Sequence, residues 1–179
     1  YGKGLYIDLH GLNATRDKIE LGYLLTGTQY TQSDQQLEHP GYMMRSSFQS
    51  LAQESTLTLP ELLRGSNSLG ALLEGKGYPV VPSPENPDPG YDEDGDLKPY
   101  YNGGYNTSRH GSFNGGVISG LQIEHNWEGV RDTQSNREAY GLALAEVLVG
   151  FMEQTMEIDL SIDNRVDIIS DRSLFYENG

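Results

Sequence analysis

The most constraining pattern in the sequence is an apolar stripe near its carboxyl end. Its members recur at offsets 0, 4, 7, 8 and 11, which is the period of one helix face: Tyr140, Leu144, Val147, Leu148 and Phe151. A helix with such a face has to pack against a sheet or another helix. Ser135 and Glu138 have the S-x-x-E spacing of a capping box and predict the start of this helix.

Two apolar runs predict strands, and each ends on a residue that can do chemistry. The first covers Leu5 to Leu9 and stops at His10, where Gly11 lets the chain turn away. The second runs over 117–124 and closes with Glu124. If the two strands are parallel, His10 and Glu124 lie at the edge of the sheet where ligands collect. The alternative, that His10 is a strand-end histidine bonded to backbone, stays open.

The segment between these runs predicts short helices and one further strand. Helices are expected over 45–53, from Thr58 to a stop at Gly65, and from a cap at Ser66 to Gly75. The prolines in 78–82 allow only an edge or terminal strand. The polar stretch ending at Gln36 predicts a surface loop, and so does the proline-rich and acidic segment 83–99. This alternation indicates an α/β fold.

Charge and composition exclude several classes of function. The 12 Lys+Arg and 26 Asp+Glu give a net charge of −14, which disfavours nucleic acid and anionic membrane surfaces as partners. With no cysteine, a disulfide scaffold, a thiolate nucleophile and a Cys-ligated metal are excluded within this chain. No apolar run approaches the roughly 18 residues of a membrane span. The 179 residues suit one domain, or the carboxyl-terminal portion of one.

A glycine-rich segment and two arginines are candidates for binding an anion. The segment 102–111 offers free backbone amides, small polar side chains and Arg109, a combination that suits an oxyanion or a carboxylate. Arg131 can bind a substrate carboxylate or form a structural salt bridge, and an ordinary polar loop over 102–111 also stays open. His125 and Glu128 have an H-x-x-E spacing, but on a continuing strand their side chains point to opposite faces.

Two sequence features favour a secreted precursor. Asn13-Ala14-Thr15 and Asn106-Thr107-Ser108 both fit the N-glycosylation pattern N-x-[ST]. The chain begins with Tyr1 instead of Met, as a processed or trimmed chain does. We therefore expect an extracellular glycoprotein with sugars at Asn13 and Asn106.

Four motifs, taken in order, resemble the N-formylglutamate amidohydrolase family, which belongs with the zinc-dependent carboxypeptidase and aspartoacylase-like hydrolases. The resemblance runs from about Tyr6 to Phe151. It is carried by Tyr6-Ile7-Asp8-Leu9-His10-Gly11, by Glu20-Leu21-Gly22, by Tyr101-Asn102-Gly103-Gly104 with Arg109-His110-Gly111, and by Leu121-Gln122-Ile123-Glu124 with Arg131.

The resemblance implies a three-layer α/β fold with a mixed sheet, of the phosphorylase/hydrolase-like (zinc exopeptidase-like) kind, and one zinc ion. By this similarity His10 matches a zinc ligand, and Glu124 matches the general base that activates the zinc-bound water. The substrate-binding part corresponds to Asn102, Gly103, Gly104, Arg109, His110 and Arg131, with the two arginines as carboxylate partners. Zinc and a nearby carboxylate are chemically suited to these roles.

The same resemblance implies that part of the site lies elsewhere. The family's first two zinc ligands lie in an amino-terminal half that this sequence lacks, and a catalytic zinc needs three protein ligands. One hypothesis is a zinc-dependent hydrolase of an N-acyl amino acid or related amide, completed by a companion chain from the same precursor or by self-association. The other is a secreted, processed and non-catalytic structural or interaction protein that keeps the fold.

Overall fold

A computed structural model describes residues 3–13 and 16–160 of the chain. Within them, four strands form one open mixed sheet in the order β1-β4-β2-β3. The strands are β1 (Gly4–Gly11), β2 (Ile19–Gly22), β3 (Val80–Val81) and β4 (Ile118–His125). β1 runs parallel to β4, β4 antiparallel to β2, and β2 parallel to β3. The predicted α/β class is confirmed, and the sheet is mixed.

Short helices lie between β2 and β4, and one long helix follows β4. They are α1 (Gly27–Tyr30), α2 (Asp34–Leu37), α3 (Pro40–Met43), α4 (Gln49–Glu54), α5 (Leu59–Arg64), α6 (Leu69–Glu74), α7 (Tyr105–His110) and α8 (Gln134–Met156). A 3-10 turn covers Ser112–Asn114. In the segment 83–99 an isolated bridge pairs Tyr91 with Leu97, and the structure places neither a helix nor a strand there.

Several predicted helix boundaries need correction. The polar stretch ending at Gln36 is not a loop, because Thr26 and Ser33 each close a capping box and start α1 and α2. Thr58 and Gly65 flank α5 as predicted. The cap of α6 is Ser68 instead of Ser66.

The prediction that Ser135 caps the long helix is wrong. Thr133 is the cap, and its hydroxyl accepts a hydrogen bond from the Asn136 amide at 3.0 Å. Ser135 therefore lies inside the first turn of α8. Two hydroxyl residues, Thr133 and Ser135, lie two positions apart, and the S-x-x-E pattern pointed to the second. Only Thr133 has the extended backbone that a capping residue needs.

The core lies between the sheet and the predicted apolar stripe of α8. Tyr140, Leu144, Val147 and Phe151 are buried, and Leu148 is partly buried against them. From β4, Leu121 and Ile123 enter the same core. α7 packs against β1 and β4, and a Cβ on Gly120 of β4 would come within 2.9 Å of Gly111, the residue that follows α7. No described helix is both long and apolar enough to cross a membrane.

Candidate functional site

The parallel pairing of β1 and β4 brings the two predicted site residues together. His10 lies directly opposite Glu124 in the register, at the carboxyl ends of both strands. Nδ1 of His10 is 3.9 Å from Oε1 of Glu124. Because these strand ends meet at one edge of the sheet, the site opens where α/β proteins hold their ligands.

Asp8 lies beside the His10 ring. It lies two residues before His10, on the same face of β1, and its Oδ2 is 3.1 Å from Nε2 of His10. In the neutral ring, a proton on Nε2, the nitrogen nearer this carboxylate, leaves Nδ1 with a free lone pair. That lone pair is on the nitrogen nearer Glu124, and the His10 side chain is 43% exposed.

Glu124 is buried, with 6% relative exposure, although its carboxylate belongs to the site. Gln122, two residues earlier on β4, donates a hydrogen bond from Nε2 to Oε1 of Glu124 at 2.7 Å. A buried carboxylate is costly unless it is hydrogen-bonded, and this amide supplies one bond. The sequence motif contained Gln122 but did not indicate this role.

Glu20 is a second buried carboxylate of the site that the sequence reasoning missed. It lies opposite Glu124 on β2 and is 3% exposed. Its Oε1 is 2.8 Å from Nη1 of Arg16, and its Oε2 accepts a hydrogen bond from the Tyr101 amide at 2.7 Å. Burial raises the pKa of Glu20, and Glu124 adds to this, against the effect of Arg16 and the Tyr101 amide.

The raised pKa of Glu20 predicts how stability depends on pH. Its ordinary pKa is 4.5, so above that pH the unfolded state has lost a proton that the folded state still holds. The contribution of Glu20 to the free energy of unfolding is therefore greatest at low pH and falls as pH rises from about 4.5 to the folded-state pKa. Urea titrations should show that the wild type loses stability relative to Glu20→Gln as pH rises through this range. A difference independent of pH would contradict it.

The segment 102–104 lies close against β2. A Cβ on Gly22 would come within 2.5 Å of the Gly103 nitrogen, so only glycine allows this approach. The Leu24 amide donates to the Asn102 carbonyl at 2.6 Å, and the Asn102 side-chain amide donates to the Leu24 carbonyl at 3.2 Å. Gly103 has a left-handed φ of +111°. Asn102 thus holds the backbone of this segment in place.

Residues 105–110 form α7, so the expected loop over 102–111 is wrong for its second half. Gly104 is the residue that caps the start of α7, and Thr107 is the buried residue of this helix. Arg109 and His110 lie in the last turn and are exposed. The His110 ring packs on Tyr6 with centroids 5.0 Å apart, which ties α7 to β1.

Arg131 joins the chain segments that follow β1 and β4. Its Nε donates to the carbonyls of His125 and Asn126 at 3.1 and 3.3 Å, and its Nη2 donates to the Leu12 carbonyl. The guanidinium also lies 5.3 Å from the Trp127 ring centre. Its hydrogen-bond partners among the described residues are thus backbone carbonyls and not carboxylates. Arg131 therefore supports the end of the sheet directly.

His125 has a structural contact of its own. Its Nδ1 donates to the His10 carbonyl at 2.6 Å. Burial lowers the pKa of the His125 ring; this hydrogen bond opposes the effect of burial, and the charge of Arg131 adds to it. Beside it, an open groove of about 430 Å³ runs between the end of β1 and α8, walled by Leu9, Tyr140 and Leu144.

Neither protein-family models, nor curated proteins, nor solved structures give a match to this chain. Within residues 3–13 and 16–160, no three or more His, Asp or Glu side chains converge as a group able to hold a metal ion. His10 is consequently a ligand candidate without two protein co-ligands in the described part of the chain.

The two predicted glycosylation sites differ in how much the structure describes. Asn106 is exposed on α7, while Thr107 of the same sequon is buried. Asn13 is exposed, but Ala14 and Thr15 lie outside the described residues. The accessibility of Asn106 is compatible with a surface modification.

Proposed function

We propose that this chain carries the general base and one ligand of a zinc-dependent hydrolase that acts on an N-acyl amino acid or a related amide. The observation that carries the proposal is the direct pairing of His10 with Glu124, with Nδ1 and Oε1 3.9 Å apart. An imidazole nitrogen and a carboxylate so close to each other are the groups that a metal-assisted hydrolysis needs. The family resemblance points the same way.

The arrangement around His10 fits a metal ligand. Protein ligands of zinc are commonly neutral imidazoles whose second nitrogen donates to a carboxylate, and Asp8 is placed to accept that bond. Zinc, when bound, supplies a Lewis acid that polarises an amide carbonyl and acidifies water. The other ligands come from outside the described residues: a companion chain from the same precursor or a second copy of this chain.

The chain's own residues have separable tasks in this scheme. Glu124 accepts the proton of the attacking water and later passes it to the leaving amine. Asp8 holds the His10 ring, and Asn102, Gly103, Gly104 and His110 form the wall along which the substrate binds. Arg109 is the exposed cation for a substrate carboxylate, and Arg131 keeps the N–H groups of Nη1 and one N–H of Nη2 for one after its bonds to backbone carbonyls.

A second function is favoured by the absence of a three-residue metal group among the described residues. It is a secreted, processed structural or interaction protein that keeps the fold without catalysis. The exposed Asn106 of the N-x-[ST] sequon is compatible with secretion in both cases. Stoichiometric zinc together with hydrolysis of formyl or acyl amino acids would exclude this second function.

Metal analysis of the intact natural assembly tests the first proposal. We expect about one zinc per chain, and we expect His10→Ala to lower the zinc content at least about tenfold after dialysis, because one of three ligands is removed. His39→Ala is the matched control, since His39 is an exposed histidine that caps α3. Wild-type protein without zinc, isolated with all its chains, would overturn the proposal.

A further inference from the structure

Gln122 lies in the middle of the sheet, on the face that carries Glu124. It pairs with Asp8 on β1 and with Gly22 on β2, and its side chain is buried. Side chains two residues apart on a strand project from the same face, so Gln122 and Glu124 are neighbours there. A buried carboxamide needs hydrogen-bond partners, which makes its few contacts informative.

Both ends of the Gln122 carboxamide have a defined neighbour. Nε2 donates to Oε1 of Glu124 at 2.7 Å. The carbonyl Oε1 of Gln122 lies beside Gly104, where an added Cβ would come within 3.1 Å of it. With the amide reversed, an acceptor oxygen would face the carboxylate, so the hydrogen bond determines which way the amide points.

This contact distinguishes the two oxygens of Glu124. Oε1 accepts the hydrogen bond from Gln122 and is the oxygen that lies 3.9 Å from His10 Nδ1. Oε2 receives no hydrogen bond from the groups described in residues 3–13 and 16–160. A carboxylate with one oxygen held by a donor presents its other oxygen in a fixed direction, and the oxygen without a donor is the better proton acceptor.

We propose that Gln122 is the positioning residue for Glu124: its amide holds Oε1 and so fixes the orientation of the carboxylate beside His10, and its place beside Gly104 links this orientation to the substrate-binding segment 102–104. The catalytic part of this inference rests on the proposed hydrolase function. Gln122 itself does not touch the reacting atoms in this scheme, and it acts only through Glu124.

Substitution of Gln122 by methionine tests the role in the intact assembly. Methionine keeps the length of the side chain but has no N–H donor. We expect kcat to fall about tenfold with KM within about twofold of wild type, and the acid limb of the kcat–pH profile to move, because the base loses its orientation and a hydrogen bond. If Gln122→Met does not fold, as judged by its circular dichroism, Gln122→Leu replaces it.

Gln134→Met is the matched control. Gln134 also donates from Nε2 to a glutamate, Glu138, at 2.8 Å, but at the exposed start of α8. We expect this variant to keep the wild-type kcat, KM and pH profile. A kcat for Gln122→Met equal to that of Gln134→Met would overturn the inference, and so would a raised KM with unchanged kcat.

A measurement without catalysis tests the hydrogen bond separately. In 1H–15N spectra, the side-chain NH2 signal of Gln122 should be displaced from that of an exposed carboxamide, and it should respond to Glu124→Ala by moving toward the exposed position. The absence of any such response overturns the inference even where hydrolysis is found. A wild-type assembly without hydrolysis overturns the proposed function and with it the catalytic role of Gln122, whereas normal hydrolysis with unchanged kcat in Gln122→Met overturns the inference alone.

Discussion

Glu124→Gln should reduce the hydrolysis of acyl amino acids by about 1,000-fold in kcat, because the general base is removed while the rest of the site stays in place. The fold should be retained, since a carboxamide oxygen can accept the same hydrogen bond from Gln122 that the carboxylate accepts at 2.7 Å. The measurement is the rate of amine release from formyl and acetyl amino acids by the intact assembly.

The matched control for this variant is Glu128→Gln. Glu128 lies four residues further along the chain and is exposed, so its substitution removes the same charge away from the site. We expect near wild-type hydrolysis from it. Residual activity in Glu124→Gln comparable to that of the control would contradict the assignment of Glu124 as the base, even if zinc were present.

Phe151→Ala should lower the free energy of unfolding by about 3–5 kcal/mol, because it removes a large side chain from the fully buried centre of the core. Phe151 lies on the inner face of α8 and stacks on Phe48 with ring centres 6.1 Å apart. The loss combines the apolar surface returned to water with the cavity left beside Phe48. Urea denaturation followed by circular dichroism measures it.

Leu142→Ala provides the comparison on the same helix. Leu142 is 71% exposed on the outer side of α8, so its truncation should change stability by less than about 0.5 kcal/mol. Equal losses in the two variants would mean that α8 is not anchored through its predicted apolar stripe. Because the total stability of a domain is only about 5–15 kcal/mol, the loss in the Phe151 variant is a large fraction of the total.

The candidate site was predictable to the extent that it depends on strand ends. The apolar runs before His10 and Glu124 were enough to predict two strands, and the side chains at their ends follow from the chain itself. The sequence did not show whether the two strands are neighbours or parallel, and the structure shows that they are both. The catalytic and metal-binding roles of these two residues remain predictions.

Other parts of the site depend on contacts across the sheet, which no local pattern encodes. Glu20 lies 104 positions from Glu124 in the sequence, yet the β2–β4 register places them opposite each other. Arg131 was expected to bind a carboxylate or form a salt bridge, but its guanidinium donates to backbone carbonyls where β1 and β4 end. These partners are set by which strands pair and in what register.

The α/β alternation, the apolar face of α8 and the strand ends at His10 and Glu124 follow from the sequence alone, because each depends on a period of two or of 3.6 residues within one segment. The folded structure was needed to show that Glu20 lies opposite Glu124, that the Tyr101 amide donates to Glu20, and that Arg131 donates to the Leu12 carbonyl. These contacts join segments far apart in the chain, and their relative positions are set only when the strands pair in a particular register.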